Sequence, residues 1–302
     1  MEPLMPWSKD LPVDCYSKRK RHFILRLSDL TLILKENVME KIKRIHSDFM
    51  KFRGNMHNIW EECAYLDEMI RNSEKREFVV VSLHSDSRKT KRIKDAGGMR
   101  NKFLSGENTK KHFIDAIGLF ESYISWLAQF VFCDYPYRMH TSGMNEEKIF
   151  NVILQKETKE EIIECLAEEK VRSVFYGKPS DVFMKDKFDL GIGKTFVNNY
   201  NKEIELYEEI NGRRNAIIHN LGCVDKKYLR ENPNTVYKEG QKIIISEQYL
   251  RGTIALLEGI AAKTTECVVM NIYKGSIQGK LAQTLKSFER CCKNDWYESL
   301  LK

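Results

Sequence analysis

The chain has 302 residues, of which 42% are hydrophobic and 31% are charged, and its formal net charge at pH 7 is +7. This length accommodates one large or two modest domains, and the apolar content is sufficient for a core. The longest apolar region, residues 123–132, is far shorter than the ~20 residues that a transmembrane helix needs, so we expect no membrane span.

The cysteines indicate the compartment. There are eight of them, and none forms a C-x-x-C pair. No secretory leader is recognisable in the sequence. Because disulfides accumulate in secreted proteins, we expect reduced cysteines in a cytoplasmic protein. Structural metal sites need clustered thiols, so we expect no bound metal. We also expect no other cofactor.

The net charge is concentrated near the N-terminus. Of the 50 Lys/Arg and 43 Asp/Glu residues, residues 1–110 hold 23 and 16, which gives 23 − 16 = +7. The remaining 27 cations and 27 anions cancel. The N-terminal region therefore supplies the positive field that nucleic-acid binding would use.

A long helix is predicted over residues 29–72, because apolar side chains recur there in alternating steps of four and three. The seam consists of Val38, Ile42, Ile45, Phe49, Phe52, Met56, Ile59, Cys63, Leu66 and Ile70. A sustained heptad pattern of this kind either packs against another helix of the same chain or joins two copies of the protein.

A short apolar segment and a basic cluster follow. Residues 78–84 are β-branched and apolar, which is typical of a short strand or of a buried linker. The cluster consists of Arg88, Lys89, Lys91, Arg92 and Lys94. It either contacts RNA phosphates or is an ordinary solvated segment, and the nearby Gly97-Gly98 pair predicts a flexible loop.

The rest of the chain is predicted to be mostly helical. Helices are expected at residues 109–133, 157–175 and 195–221, a short strand at 242–245, a helix from Ser246 to about 272, and a last helix at 276–300. The fold class is therefore all-α, with one or two short strands. Residues 191–195 (GIGKT) resemble a phosphate-binding loop, but Phe188 stands where that pattern needs glycine, so we interpret them as a turn.

The most informative segment is residues 209–222, which contains Arg214-Asn215 followed by His219. The apolar spacing places these residues at the end of a helix traced back to about Lys194, with Gly222 as its stop. The negative end of the helix dipole favours the imidazolium form of His219. An arginine that fixes a phosphate and a histidine that moves protons are sufficient to split a phosphodiester, but the same residues also fit a structural helix cap.

This segment resembles the signature of HEPN domains, closest to the branch often labelled RiboL-PSP-like. A helix at residues 113–130 with a Phe-Glu-Ser-Tyr core, the segment 174–179, and the stretch 237–250 are similar to other parts of that family in the same order. The resemblance covers roughly residues 105–273. It implies a boundary between an N-terminal basic long-helix region, residues 1–105, and a HEPN-like helical domain, residues 106–302.

The resemblance implies an HEPN-type helical bundle with an N-terminal long-helix extension. Many members are metal-independent endoribonucleases that act in antiphage defence or as toxins, and active members place two such motifs in one cleft of a homodimer. Carried over, Arg214 stabilises the transition-state phosphate, His219 transfers protons, and Asn215 orients the phosphate or the histidine. Arg213 and Glu121 are supporting residues, and Glu121 is expected to pair with Arg213 or Arg214.

The implied partners are RNA, a second copy of the chain, and a regulatory or antitoxin protein. Members that are silenced by tyrosine adenylylation carry Tyr two residues after the histidine, where this chain has Leu221. That form of silencing is therefore not expected. The alternative reading is a non-catalytic HEPN-like module that binds proteins, nucleotides or RNA.

Overall fold

A computed structural model describes residues 38–72, 79–81, 90–92, 95–139, 145–175, 177–233 and 235–301. Within these ranges the predicted all-α class is confirmed. The helices are α1 (Val38–Arg71), α2 (Ala96–Lys102), α3 (Asn108–Asp134), α4 (Glu146–Gln155), α5 (Lys159–Phe175), α6 (Asp181–Met184), α7 (Gly193–Asn199), α8 (Asn201–His219), α9 (Lys226–Glu231), α10 (Glu247–Cys267), α11 (Gly279–Lys293) and α12 (Trp296–Leu301). A π turn over Phe103–Glu107 leads into α3, a second over Val268–Ile272 extends α10, and a 3-10 turn over Pro136–Met139 follows α3.

The heptad seam of α1 packs inside the chain, against α3 and α10. Its buried apolar members are Ile42, Ile45, Phe49, Phe52, Met56 and Cys63. They belong to one hydrophobic cluster with the residues of α3, α8 and α10. The described part of residues 1–105 therefore shares its buried core with the rest of the chain.

Helix α3 is the central element, and its apolar residues are buried around its whole circumference. The Tyr123 hydroxyl lies 2.7 Å from Thr265 Oγ1 of α10, and the Tyr123 ring stacks on Phe52 of α1. Among the described residues, the helical stretch Ala96–Asp134 is long and apolar enough to cross a membrane, but 67% of its most apolar window is buried inside the fold. A helix whose apolar residues are buried in a core is expected to be this hydrophobic.

Two expected elements differ at the C-terminal end. The single helix expected at 276–300 is wrong, because the chain breaks at Asp295 with φ of 49° and continues as α12. The expected strand at 242–245 is reduced to an isolated bridge between Cys223 and Lys242.

A glycine allows α10 and α11 to pack closely. The Phe288 ring of α11 approaches the backbone of α10 at Gly259, where a Cβ atom would collide with the ring.

Of the two possibilities for residues 78–84, a short strand or a buried linker, the structure shows a strand, β1 (Val79–Val81), which pairs antiparallel with β2 (Thr90–Arg92). The flexible loop expected at the basic cluster is wrong for its described part. Lys91 and Arg92 lie in β2, and Gly97 and Gly98 lie in α2, where the Asp95 carboxylate accepts a hydrogen bond from the Gly98 N–H. The other cluster members, Arg88, Lys89 and Lys94, lie outside the described residues.

We predict that Phe52→Ala lowers the free energy of global unfolding by about 3–5 kcal/mol, since it removes a fully buried ring from the shared core. Tyr65→Ala, at an exposed position of the same helix, is the matched control and should change it by less than about 0.5 kcal/mol. Chemical denaturation followed by circular dichroism measures both. If Phe52→Ala left the midpoint of the main unfolding transition unchanged, α1 would not contribute to the shared core.

One carboxyl group is buried where α1 meets α10. Glu258 lies with Oε1 3.1 Å from His57 Nε2 and Oε2 4.0 Å from Arg53 Nε. Burial raises the pKa of Glu258 to about 7, although the positive charge of Arg53 opposes the rise. The protonated acid is therefore favoured in the folded state near neutrality.

Because the folded-state pKa of Glu258 exceeds its ordinary value of 4.5, the native protein binds this proton more tightly than the unfolded chain does. Its contribution to stability is present below about pH 4.5 and is lost as pH rises towards 7. We predict that Glu258→Gln removes this loss, worth up to about 1.4 kcal/mol per pKa unit. Denaturation at pH 5 and pH 8 measures it, with the exposed Glu239→Gln as control. An unchanged difference between the two pH values would contradict the assignment.

Candidate functional site

The motif lies at the C-terminal end of α8. The helix does not extend back to Lys194 as expected, because the chain breaks at Tyr200 and α7 is a separate helix. The predicted stop is confirmed: Leu221 and Gly222 take positive φ angles, and the Gly222 N–H donates to the Ala216 carbonyl at 3.0 Å. This closure satisfies a carbonyl of the last turn and fixes the end of the helix.

Arg213 is a structural residue. It is buried, its Nε donates to Glu209 Oε1 at 2.6 Å, and its guanidinium lies 3.8 Å from the centroid of the Tyr249 ring. Glu209 also accepts hydrogen bonds from the hydroxyls of Tyr228, at 2.7 Å, and Tyr249. The four side chains, Glu209, Arg213, Tyr228 and Tyr249, form what we call the Glu209 network, which joins α8 to α9 and α10.

The Glu209 network keeps its donors in place. Burial, and then the negative charge of Glu209, raise the pKa of Tyr228 and of Tyr249, so both phenols stay protonated and donate. The sequence reasoning did not identify this network. The i, i+4 spacing of Glu209 and Arg213 was the available signal, since that spacing brings opposite charges together on a helix.

Arg214 faces a different environment. Its side chain is 30% exposed, its Nη1 donates to Asn215 Oδ1 at 3.1 Å, and its Nη2 lies 3.9 Å from Glu121 Oε2 of α3. Burial raises the pKa of Glu121, and the positive charge of Arg214 opposes that rise. The other N–H groups of Arg214 make no hydrogen bond with any described residue, so the guanidinium retains donors for an anion.

His219 is the last residue of α8 and is exposed. Within the described ranges no side chain or backbone group forms a hydrogen bond or ion pair with its ring. The ring is therefore open to solvent and to a ligand.

The structure thus brings Arg214, Asn215 and Glu121 into contact and places His219 one turn further along the same helix. Arg213 belongs to the Glu209 network instead. Leu221, which follows the helix end with a positive φ, does not pack within the fold, and its side chain is 92% exposed. Ile218 is exposed as well.

The turn at residues 191–195 does not present a free phosphate site. The Asp186 carboxylate accepts hydrogen bonds from the Leu190 N–H at 2.8 Å and the Ile192 N–H at 2.9 Å. The chain's own anion therefore occupies the position that a phosphate would take. In the part of the chain that the structure describes, no group of three His, Cys, Asp or Glu side chains is arranged to hold a metal ion.

Comparisons of the chain with protein-family models, with curated proteins and with solved structures found no match. The chemistry of the α8 end is therefore argued from its own geometry.

We predict that the two adjacent arginines contribute very differently to stability. Arg213→Gln leaves the half-buried Glu209 without its cation and should lower the free energy of unfolding by up to about 3–5 kcal/mol. Arg214→Gln removes a partly exposed charge and should cost less than about 1 kcal/mol. Chemical denaturation of both variants tests this, and equal costs would show that Arg214 is as structural as its neighbour.

Proposed function

We propose that the protein is a metal-independent endoribonuclease of the HEPN type, with Arg214 and His219 as its catalytic residues. The observation that carries the proposal is the contrast between the two arginines. Arg213 is buried and paired, whereas Arg214 is partly exposed, keeps free donors, and lies on the same helix as the exposed His219. A charged side chain that is not used for stability is available for a ligand.

The proposed reaction needs few groups. The 2′-hydroxyl of the substrate attacks the adjacent phosphorus, the bond to the 5′-oxygen breaks, and a 2′,3′-cyclic phosphate and a 5′-hydroxyl remain. Arg214 stabilises the charge that grows on the phosphoryl oxygens, and Asn215, which already contacts Arg214, orients the phosphate. His219 transfers a proton from the attacking hydroxyl or to the leaving oxygen. DNA lacks the nucleophile and is inert.

A homodimer completes the proposed site. One copy offers a single arginine and a single histidine at this helix end. Exposed apolar side chains lie beside them, namely Ile218 and Leu221, with Ile244 on the segment that pairs with Gly222 through the Ile243 N–H. Apolar surface next to a catalytic motif favours pairing of two copies there. The basic cluster that includes Lys91 and Arg92 supplies RNA contacts in this proposal, and a regulatory or antitoxin protein restrains the nuclease.

A second candidate function is a non-catalytic binding module. The carboxylate of Glu121 lies 3.9 Å from Arg214 and Asn215 takes one of its donors, so the arginine is partly engaged without a ligand. In that case the helix end binds nucleotides or RNA without cleaving them.

The test is incubation of the purified full chain with total RNA in EDTA. We predict cleavage that leaves 2′,3′-cyclic phosphate ends, and a loss of about 10²–10⁴-fold in rate for His219→Ala. Arg214→Ala should be equally damaging and the double variant little worse, because both residues act in one transition state.

Arg230→Ala is the matched control, since Arg230 is an exposed arginine on the neighbouring helix α9 and should retain full activity. Full activity of either single variant, or strict dependence on Mg²⁺, would exclude the assignment. RNA binding without cleavage would favour the binding module.

A further inference from the structure

Helix α4 presents an apolar face that no described residue covers. It contains no buried residue, and its only half-buried residues are Ile149 and Val152; Lys148 Nζ donates to Glu169 Oε1 of α5 at 2.8 Å. Phe150 and Leu154 are 60% and 67% exposed, and Ile153 is exposed between them. At i, i+3 and i+4 these three side chains share one face, which is the spacing of a docking surface for another segment.

The same surface is acidic. The α4–α5 hairpin, residues 145–175, holds eight Asp/Glu and five Lys/Arg, or 5 − 8 = −3, in a chain whose net charge is +7. Glu146 and Glu147 lie on the apolar face at the start of α4, and Glu160 lies at the start of α5. No described cation lies within ion-pair distance of these three carboxylates. An occupant that is both basic and apolar would fit the face.

The chain carries one segment with that composition outside the described residues. Residues 16–27 contain five Lys/Arg, no Asp/Glu, and the apolar residues Phe23, Ile24, Leu25 and Leu27. The segment is therefore complementary to the α4 face in charge and in apolar content. Coupling between opposite charges guides such an encounter, and apolar burial holds it.

The fold brings the two sequences within reach of each other. The start of α1 is fixed beside the end of α3 by the contact of 2.6 Å between Lys41 Nζ and Asp134 Oδ1. Helix α4 follows that same end of α3, after the turn Pro136–Met139. At about 3.3 Å per residue, the chain between residue 27 and Val38 spans up to about 36 Å, so residues 16–27 can extend that far from the start of α1.

We propose that residues 16–27 dock on the acidic and apolar face of α4 within the same chain. This inference does not depend on the nuclease proposal. It assigns a binding role to a basic segment that would otherwise be counted among RNA contacts.

The test places a photoreactive amino acid, p-benzoylphenylalanine, at position 154 of the full chain. Irradiation should yield crosslinked peptides that contain residues 16–27. In a mixture of isotope-labelled and unlabelled chains, the two halves of each crosslink should carry the same label. The same probe at position 65, an exposed site on α1, is the control and should not capture this segment.

Charge reversal provides the second arm. The variant with Glu146→Lys, Glu147→Lys and Glu160→Lys should lose most of the crosslink, and added salt should lower the yield because the screening length shortens to about 3 Å at 1 M. Reversal of Glu231, Glu239 and Glu247, which are exposed elsewhere, should leave it unchanged. Mixed-label crosslinks would assign the face to a second copy. Crosslinks to other segments, or none at all, would also overturn the proposal.

Discussion

The ion pair between Arg213 and Glu209 is the interaction on which the candidate site depends. A guanidinium cannot be neutralised in a protein, so its burial is tolerable only beside a carboxylate that is itself well bonded. Tyr228 and Tyr249 provide those bonds from two other helices. The end of α8 is thereby held against α9 and α10, and its orientation is set by three buried side chains and the half-buried Glu209.

This anchorage determines what the next residue can do. Neighbouring positions on a helix point about 100° apart, so fixing Arg213 inward directs Arg214 towards α3 and the surface. There it meets Glu121 and Asn215 at the edge of the fold. The energetic cost of one buried cation is offset within the core, while the adjacent cation stays available to an anion. The two residues have identical chemistry and differ only in what surrounds them.

Much of this architecture could be predicted from periodicity. The seam from Ile42 to Cys63 identified α1, and the periodic pattern of residues 109–133 identified α3. The break at Tyr200 could not be predicted, because its cause is tertiary: the Tyr200 ring is buried against Phe288, far away in the sequence. Helix α4 was not predicted. Its apolar residues face outward, so its amphipathic pattern does not mark a face that packs on the core.

At the site, the motif spacing identified Arg214, Asn215 and His219 but could not distinguish the roles of the two arginines. Each arginine forms an ion pair with a carboxylate. Only the packing of the helices decides that Glu209 pairs with Arg213 and Glu121 with Arg214. Helical periodicity also could not predict the exposure of Leu221, because that exposure follows from the left-handed turn after His219. Periodicity describes a helix face only as far as the helix continues, and the candidate residue His219 lies where α8 ends.

The central claim is that Arg214 and His219 form one anion site. Its most direct measurement is the NMR response of the His219 ring to inorganic sulfate and to a 3′-nucleotide in the full chain. The ring signals should shift with saturation in the wild-type chain and lose that response in Arg214→Gln, while Arg230→Gln leaves it unchanged. Ring signals that do not move with either anion, or that move equally in Arg214→Gln, would contradict the claim.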